Sequence, residues 1–175
     1  KSNWFSQGPR VKKFEKQMSQ YCNAKYAIAV SNGTLALDIA YKACGVTFGD
    51  EVIVPAMSYF SSASMVSYQN ATPVFVDIKK DTFNIDPKSV EKAISKKTKA
   101  ICFIDYGGNP SEINNLKKIS KKYKIPLIQD GAQSLGAKFN GKNMGCDGDI
   151  ATTSFHSAKV MTTIEGGMIF TNNFK

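Results

Sequence analysis

Tyr26-Ala27-Ile28-Ala29-Val30-Ser31-Asn32-Gly33-Thr34-Leu35 reads as a strand, a sharp turn and the start of a helix. Tyr26 to Val30 is a short buried strand, Ser31 to Thr34 turns the chain, and a helix is predicted from Leu35 to Cys44, closed by Gly45. Upstream, Val11, Phe14, Met18 and Tyr21 follow helical spacing, and Pro9 is placed to start that helix. Downstream the alternation repeats without a long linker. Glu51 to Val54 is a strand ended by Pro55, and Tyr59 to Tyr68 is a helix of small and apolar residues. Pro73 to Asp77 is the next strand, Asp86-Pro87 starts a helix through Ile94, and Ala100 to Ile104 is another strand. Ile113, Leu116, Ile119 and Tyr123 stripe one face of a helix whose other face carries lysines. Pro126 to Gln129 is a strand that delivers Asp130 at its C-terminal end. Phe139-Asn140-Gly141-Lys142 is a hairpin turn. Two last strands, Ile150 to Ser154 and Gly167 to Thr171, flank the segment containing Lys159.

Short apolar strands separated by amphipathic helices predict an α/β fold, a mostly parallel sheet covered on both faces. Ligands of such sheets collect outside the carboxyl ends of the strands. Ser31 to Thr34, the segment after Pro55, Asp130 and Ser154 all lie at or just beyond such ends, so one pocket can gather them.

The composition of the 175 residues, 42% hydrophobic and 21% charged, is that of a globular domain with a real core. The net charge is +9. A basic surface can serve nucleic acid, an anionic membrane or a phosphorylated substrate. Here the lysines are grouped at Lys79-Lys80, Lys96 to Lys99 and Lys117 to Lys122, beside predicted helices, and read as solvated faces. No nucleic-acid motif accompanies them and no apolar stretch approaches a membrane span, so neither partner is expected. Cys22, Cys44, Cys102 and Cys146 lie far apart, which is neither a zinc nor a redox pattern. Cys44 and Cys102 are expected as buried free thiols, in keeping with a cytoplasmic location.

Three segments carry candidate chemistry. The turn Ser31-Asn32-Gly33-Thr34 leaves free N–H groups at a helix start, an anion site suited to a phosphate, although the same residues cap ordinary helices. Asp130, followed by Gly131-Ala132-Gln133, can keep a ring nitrogen protonated, or can simply act as an N-cap for the next turn of chain. Lys159 lies in the apolar, Gly-bounded segment Ser154-Phe155-His156-Ser157-Ala158-Lys159 to Glu165-Gly166-Gly167 and is a candidate for Schiff-base chemistry, although a lone lysine of this kind is more often structural. His156 is the single histidine and is read as a packing or hydrogen-bonding residue.

Taken in order, these segments, with Ala56-Met57-Ser58-Tyr59 after Pro55 and Gly49 to Pro55 before it, resemble the DegT/StrS-type sugar aminotransferases, a fold-type-I pyridoxal-phosphate (PLP) family. The resemblance runs from Gly8-Pro9 to Gly166-Gly167. It implies the three-layer α/β/α large domain of that family, with PLP as cofactor. Lys159 is then the lysine that holds the cofactor and moves the proton, and Asp130 the partner of the pyridine nitrogen. Gln133 faces the ring's phenolic oxygen, and Gly33, Thr34 and Ser154 cradle the phosphate. Tyr59 stands where the family stacks an aromatic ring on the cofactor, a position that can equally be plain core. No metal is implied. The substrates implied are an amino donor such as glutamate and a nucleotide-linked keto-sugar. A dehydratase of the same family is the nearest rival, and those enzymes carry another residue, often histidine, at the lysine position. A non-catalytic regulatory or binding protein on this fold is the second rival.

The chain departs from the family pattern at four places. Gln129 replaces the usual acidic residue, Gly131 an alanine, and Ser157 a frequent proline. Asp105 sits where a histidine is common and is expected to border the substrate side. The chain opens on Lys1, with Trp4 and Phe5 close behind, and stops at Phe174-Lys175. It is expected to be part of a longer protein: residues 1–175 form a partial PLP-binding large domain, truncated before the small C-terminal domain. The family's homodimers borrow active-site residues from the partner, so this segment alone is expected to be inactive.

Overall fold

The architecture is set by strands whose alternate side chains enter two different cores. The computed structural model describes residues 7–173, and the readings of Lys1, Trp4, Phe5, Phe174 and Lys175 lie outside the described residues. Along the chain the first elements are α1 (Pro9–Tyr21), β1 (Tyr26–Val30), α2 (Gly33–Ala43), β2 (Glu51–Pro55), α3 (Ser61–Tyr68) and β3 (Thr72–Val76). There follow α4 (Pro87–Ala93), β4 (Thr98–Ile104), α5 (Ile113–Tyr123) and β5 (Leu127–Asp130). A hairpin of β6 (Lys138–Phe139) and β7 (Lys142–Asn143) precedes β8 (Ile150–Ser154) and β9 (Gly167–Thr171).

On one face of the sheet, Val52 and Val54 of β2, Ala100 and Cys102 of β4 and Ile128 of β5 pack with Leu37 and Tyr41 of α2 and Val66 of α3. On the other, Ile53, Ile101, Phe103 and Leu127 pack with Val90 of α4 and with Leu116 and Ile119 of α5. A third cluster joins Met18 of α1 to Ala151, Phe155, Met168 and Phe170, and the Phe14 and Phe155 rings meet at 5.2 Å. Each fully buried side chain of this size contributes about 1.5–3 kcal/mol. The three-layer α/β/α expectation holds.

The main sheet has seven strands in the order β1-β9-β8-β5-β4-β2-β3. β3, β2, β4, β5 and β8 are mutually parallel, while β9 runs antiparallel to both β8 and β1. Parallel neighbours with helical crossovers bring the carboxyl ends of β1, β2, β5 and β8 to one edge.

Some boundaries differ from the sequence reading. α2 begins at Gly33 rather than Leu35, because Asn32 stays extended and its Oδ1 accepts the Leu35 N–H at 2.8 Å. α3 begins at Ser61, so Tyr59 and Phe60 precede the helix and stay exposed. β3 and β4 begin at Thr72 and Thr98, ahead of the apolar runs that marked them.

Several basic groups are paired on the surface: Lys42 with Asp38 at 2.9 Å, Lys122 with Glu91 at 2.7 Å, and Lys79 with Glu112. Among the described residues no helix is long and apolar enough to cross a membrane, and no group of His, Cys, Asp and Glu is placed to hold a metal ion.

Candidate active site

The strand-to-helix turn after β1 is locked from below by two glycines. Gly33 lies against β8: a Cβ there would come within 2.9 Å of the Ser154 Cβ. Gly167 lies under the turn itself, where a Cβ would overlap the Asn32 carbonyl. The two contacts hold the N-terminus of α2 beside Ser154. Asn32 caps one of the helix's free donors and the Ala36 N–H bonds to the Asn32 carbonyl, while the Gly33 and Thr34 N–H groups precede the intrahelical ladder.

Asp130 ends β5 with its carboxylate buried. Its Oδ2 accepts from Ser62 Oγ at 3.3 Å and its Oδ1 from the Ala132 N–H at 3.1 Å. Ser62 is itself bonded to Ser58 Oγ at 2.7 Å, and its carbonyl accepts from Tyr41 Oη at 2.7 Å. Burial pushes the Asp130 carboxyl above the usual carboxylate range; the Ala132 N–H, Ser62 and the charge of Lys159 oppose it, and Asp105 adds to it. Among the described residues no ion pair involves this carboxylate.

Lys159 sits in the loop between β8 and β9. The loop is closed by Phe155 N–H to the Gly166 carbonyl at 2.8 Å and Thr163 N–H to the Phe155 carbonyl at 3.0 Å, and the Lys159 N–H bonds to the His156 carbonyl at 2.9 Å. His156 is half exposed, its Nε2 3.5 Å from Glu165 and its Nδ1 accepting the Ala158 N–H at 3.2 Å. Gln133 Oε1 accepts the Gly107 N–H at 2.6 Å, which leaves its Nε2 as the free donor.

Gly33, Thr34, Tyr59, Asp130, Gln133, Ser154 and Lys159 all line one cavity of about 440 Å³. These are the seven residues that the family resemblance named for the cofactor. The sequence reading missed Ser61 and Glu165, which also line the cavity, and Ser62, which donates to Asp130. The signal for the serines was the small-residue run after Pro55, read only as helix.

One expectation changes. Asp105 does not border this cavity: it is buried on the opposite side of β4 and β5, where its Oδ2 accepts from Gln129 Nε2 at 2.7 Å. Side chains of neighbouring positions on a strand point to opposite faces, so Gln129 points away from the site that Asp130 faces. The departure at Gly131 has a steric reason, since a Cβ there would lie 2.8 Å from the Gly145 carbonyl oxygen and 3.0 Å from that of Thr152.

The arrangement offers an amine, a buried carboxylate and a helix start around one concave space. Known proteins share both the sequence and the fold. A GDP-perosamine synthase of Escherichia coli O157:H7 is 40% identical over 173 residues, which cover 98% of this chain and 48% of that protein. The PLP form of a Streptococcus pneumoniae protein named for sugar aminotransferase activity superposes with a TM-score of 0.94 at 33% identity, covering 99% of this chain and 48% of that one. A GDP-4-keto-6-deoxymannose-3-dehydratase with bound GDP-perosamine superposes at 0.88 with 35% identity, covering 95% of this chain and 45% of that one. The chain thus spans about half the length of the relatives it matches. Residues 1–175 match one family along their whole length, and the chain belongs to the DegT/DnrJ/EryC1/StrS aminotransferase family.

Proposed function

We propose that this chain supplies the cofactor-binding part of a PLP-dependent aminotransferase that moves an amino group, from a donor such as glutamate, to a nucleotide-linked keto-sugar. The observation that carries the reading is the convergence of Lys159, Asp130 and the start of α2 on one cavity. Its volume, about 440 Å³, lies in the range of small-molecule sites. The unpaired buried carboxylate of Asp130 calls for a cationic group, which a protonated pyridine nitrogen supplies. The N–H groups of Gly33 and Thr34, with Ser154 Oγ, suit a phosphate.

When bound, PLP supplies an electron sink for charge that develops beside the transferred nitrogen. Asp130 would hold the proton on the ring nitrogen that makes the sink effective. With the cofactor bound, Lys159 Nζ would hold it through its aldehyde carbon, with release of water, and would then carry a proton between the donor's α-carbon and the cofactor, first as base and then as acid. Gln133 Nε2 would donate toward the ring's phenolic oxygen, and Tyr59, exposed at the rim, would cover the ring face. The amine at position 159 favours transfer over the dehydratase chemistry of the same family. The net charge of +9 favours encounter with an anionic nucleotide. A homodimer is the assembly proposed, in a cytoplasmic location.

The test is a single turnover. The complete protein carrying this chain, loaded with PLP and mixed with glutamate, should release one equivalent of 2-oxoglutarate per site. No release from loaded protein would leave a binding role on this fold.

A further inference from the structure

Two buried polar side chains behind the site take no part in the proposed reaction. Asp105 is 3% exposed and Gln129 is fully buried, and together they complete a closed set of hydrogen bonds. Gln129 Nε2 donates to Asp105 Oδ2 at 2.7 Å, and Gln129 Oε1 accepts the Asp147 N–H at 2.5 Å. Asp105 Oδ1 accepts the Ser111 N–H at 2.9 Å, and Ser111 Oγ donates to the Ile104 carbonyl at 3.0 Å. The set ties the end of β4 to the loop before β8 through a side chain on β5.

Its placement gives it a task. β5 has four residues, and Ile104 of β4 pairs with Asp130 itself. Beyond Asp130 the chain turns at Gly131, wedged between the Gly145 and Thr152 carbonyls. Gln129 and Asp130 are adjacent, so anything that rotates or shifts position 129 displaces the carboxylate on the other face. Asp105 is also a buried carboxylate without an ion pair among the described residues; it is satisfied by the Gln129 and Ser111 donors. The positions are the two at which the chain departs from the family's histidine and acidic residue. The structure makes these departures a single donor–acceptor pair.

We propose that Asp105 is a positioning residue for Asp130, acting through Gln129: the pair fixes the end of β5 so that the Asp130 carboxylate meets the ring nitrogen of the bound cofactor. The inference rests on the proposed role of Asp130. The geometry prescribes its own control. In Asp105→Asn, two amide nitrogens compete for one acceptor or the Ser111 N–H loses its partner. In Gln129→Glu, two buried carboxylates face each other. In the double variant, the amide introduced at position 105 donates to the carboxylate introduced at position 129. The Ser111 and Asp147 N–H groups keep their acceptors, so every bond is remade with the acid and amide exchanged.

The experiment compares binding of PLP with binding of its analogue carrying CH in place of the ring nitrogen, to the apo form of the complete protein. Only the former engages Asp130. Each single variant should lower the preference for PLP over the analogue by about tenfold, and the double variant should bring it back to within about threefold of the wild type. General damage to the site would weaken both ligands alike. The proposal is overturned if either single variant keeps the wild-type preference, if both ligands weaken together, if the double variant is no better than the singles, or if a single variant is recovered only unfolded. A wild-type protein that binds both ligands equally would instead refute the role of Asp130 itself, a result the variants cannot mimic.

Discussion

Gly33 and Ser154 touch across the edge of the sheet, with no room for a methyl group between them: a Cβ on Gly33 would sit 2.9 Å from the Ser154 Cβ. One residue starts a helix and the other ends a strand more than a hundred positions later, so this contact is what joins two local motifs into the one surface proposed to hold a phosphate. Gly33→Ala should therefore separate α2 from β8. The expected cost is about 1–3 kcal/mol of stability, with a larger loss of PLP affinity than of fold. Chemical denaturation and cofactor titration of the same variant measure the two. Unchanged cofactor affinity would show that the contact does not shape the site.

Gly167→Ala should be worse, because the new atom overlaps backbone that cannot swing aside. The loss expected is about 3 kcal/mol or more, at the upper end for overpacking. Thermal unfolding decides it, and a variant as stable as the wild type would contradict the close packing of β9 under the turn.

Asp130 gives a pH dependence of unusual sign. Burial raises its carboxyl above the ordinary 3.8, so the folded apo protein holds that proton more tightly than the unfolded chain does. This contribution to stability is fully present below 3.8 and is lost as pH rises through the raised value. Asp130→Asn removes the titrating carboxyl, so the apo variant should gain on the wild type as pH increases. Urea titrations of both proteins across a pH series test this. Curves that run parallel at all pH values would show that the carboxylate is not strained by burial. The same substitution should lower amino transfer by at least about a hundredfold, an opposition of stability and function expected of an active-site residue.

Thiol chemistry reports on the cores independently. Burial pushes Cys102 up to about 12 and Cys44 up to about 11. At pH 8 neither should react with an aromatic disulfide reagent in the folded protein, and both should react once urea is added. Rapid labelling of Cys102 in the native state would place it outside the core formed by β2, β4 and α2.

Much of this was legible in the sequence, and the rest was hidden for identifiable reasons. β8 and β9 were bounded correctly because β8 is rich in β-branched residues, Ile150, Thr152 and Thr153, after Asp149, and β9 is the apolar run Met168-Ile169-Phe170 between Gly167 and Thr171. α5 was bounded correctly because Ile113, Leu116, Ile119 and Tyr123 mark one stripe. The start of α3 was misplaced because Tyr59 and Phe60 look like core and are exposed, whereas Ser61 and Ser62 look like surface and are buried. Ser62 and Glu165 escaped notice since a hydrogen bond or a cavity wall depends on which strands are neighbours, and the reversed β9 is not written in local pattern. Asp105 and Gln129 were read as separate departures for the same reason. Twenty-four positions separate them in sequence, and only the pairing of β4 with β5 brings their side chains to 2.7 Å.

The proposed function turns on capture of the cofactor by the Lys159 amine. Borohydride reduction of the complete, PLP-loaded protein, followed by peptide mapping, reads this directly. One stable pyridoxyl group is expected, carried by the peptide that contains Lys159. A pyridoxyl group on any other lysine, or none at all on protein that retains its cofactor, would contradict that role of Lys159.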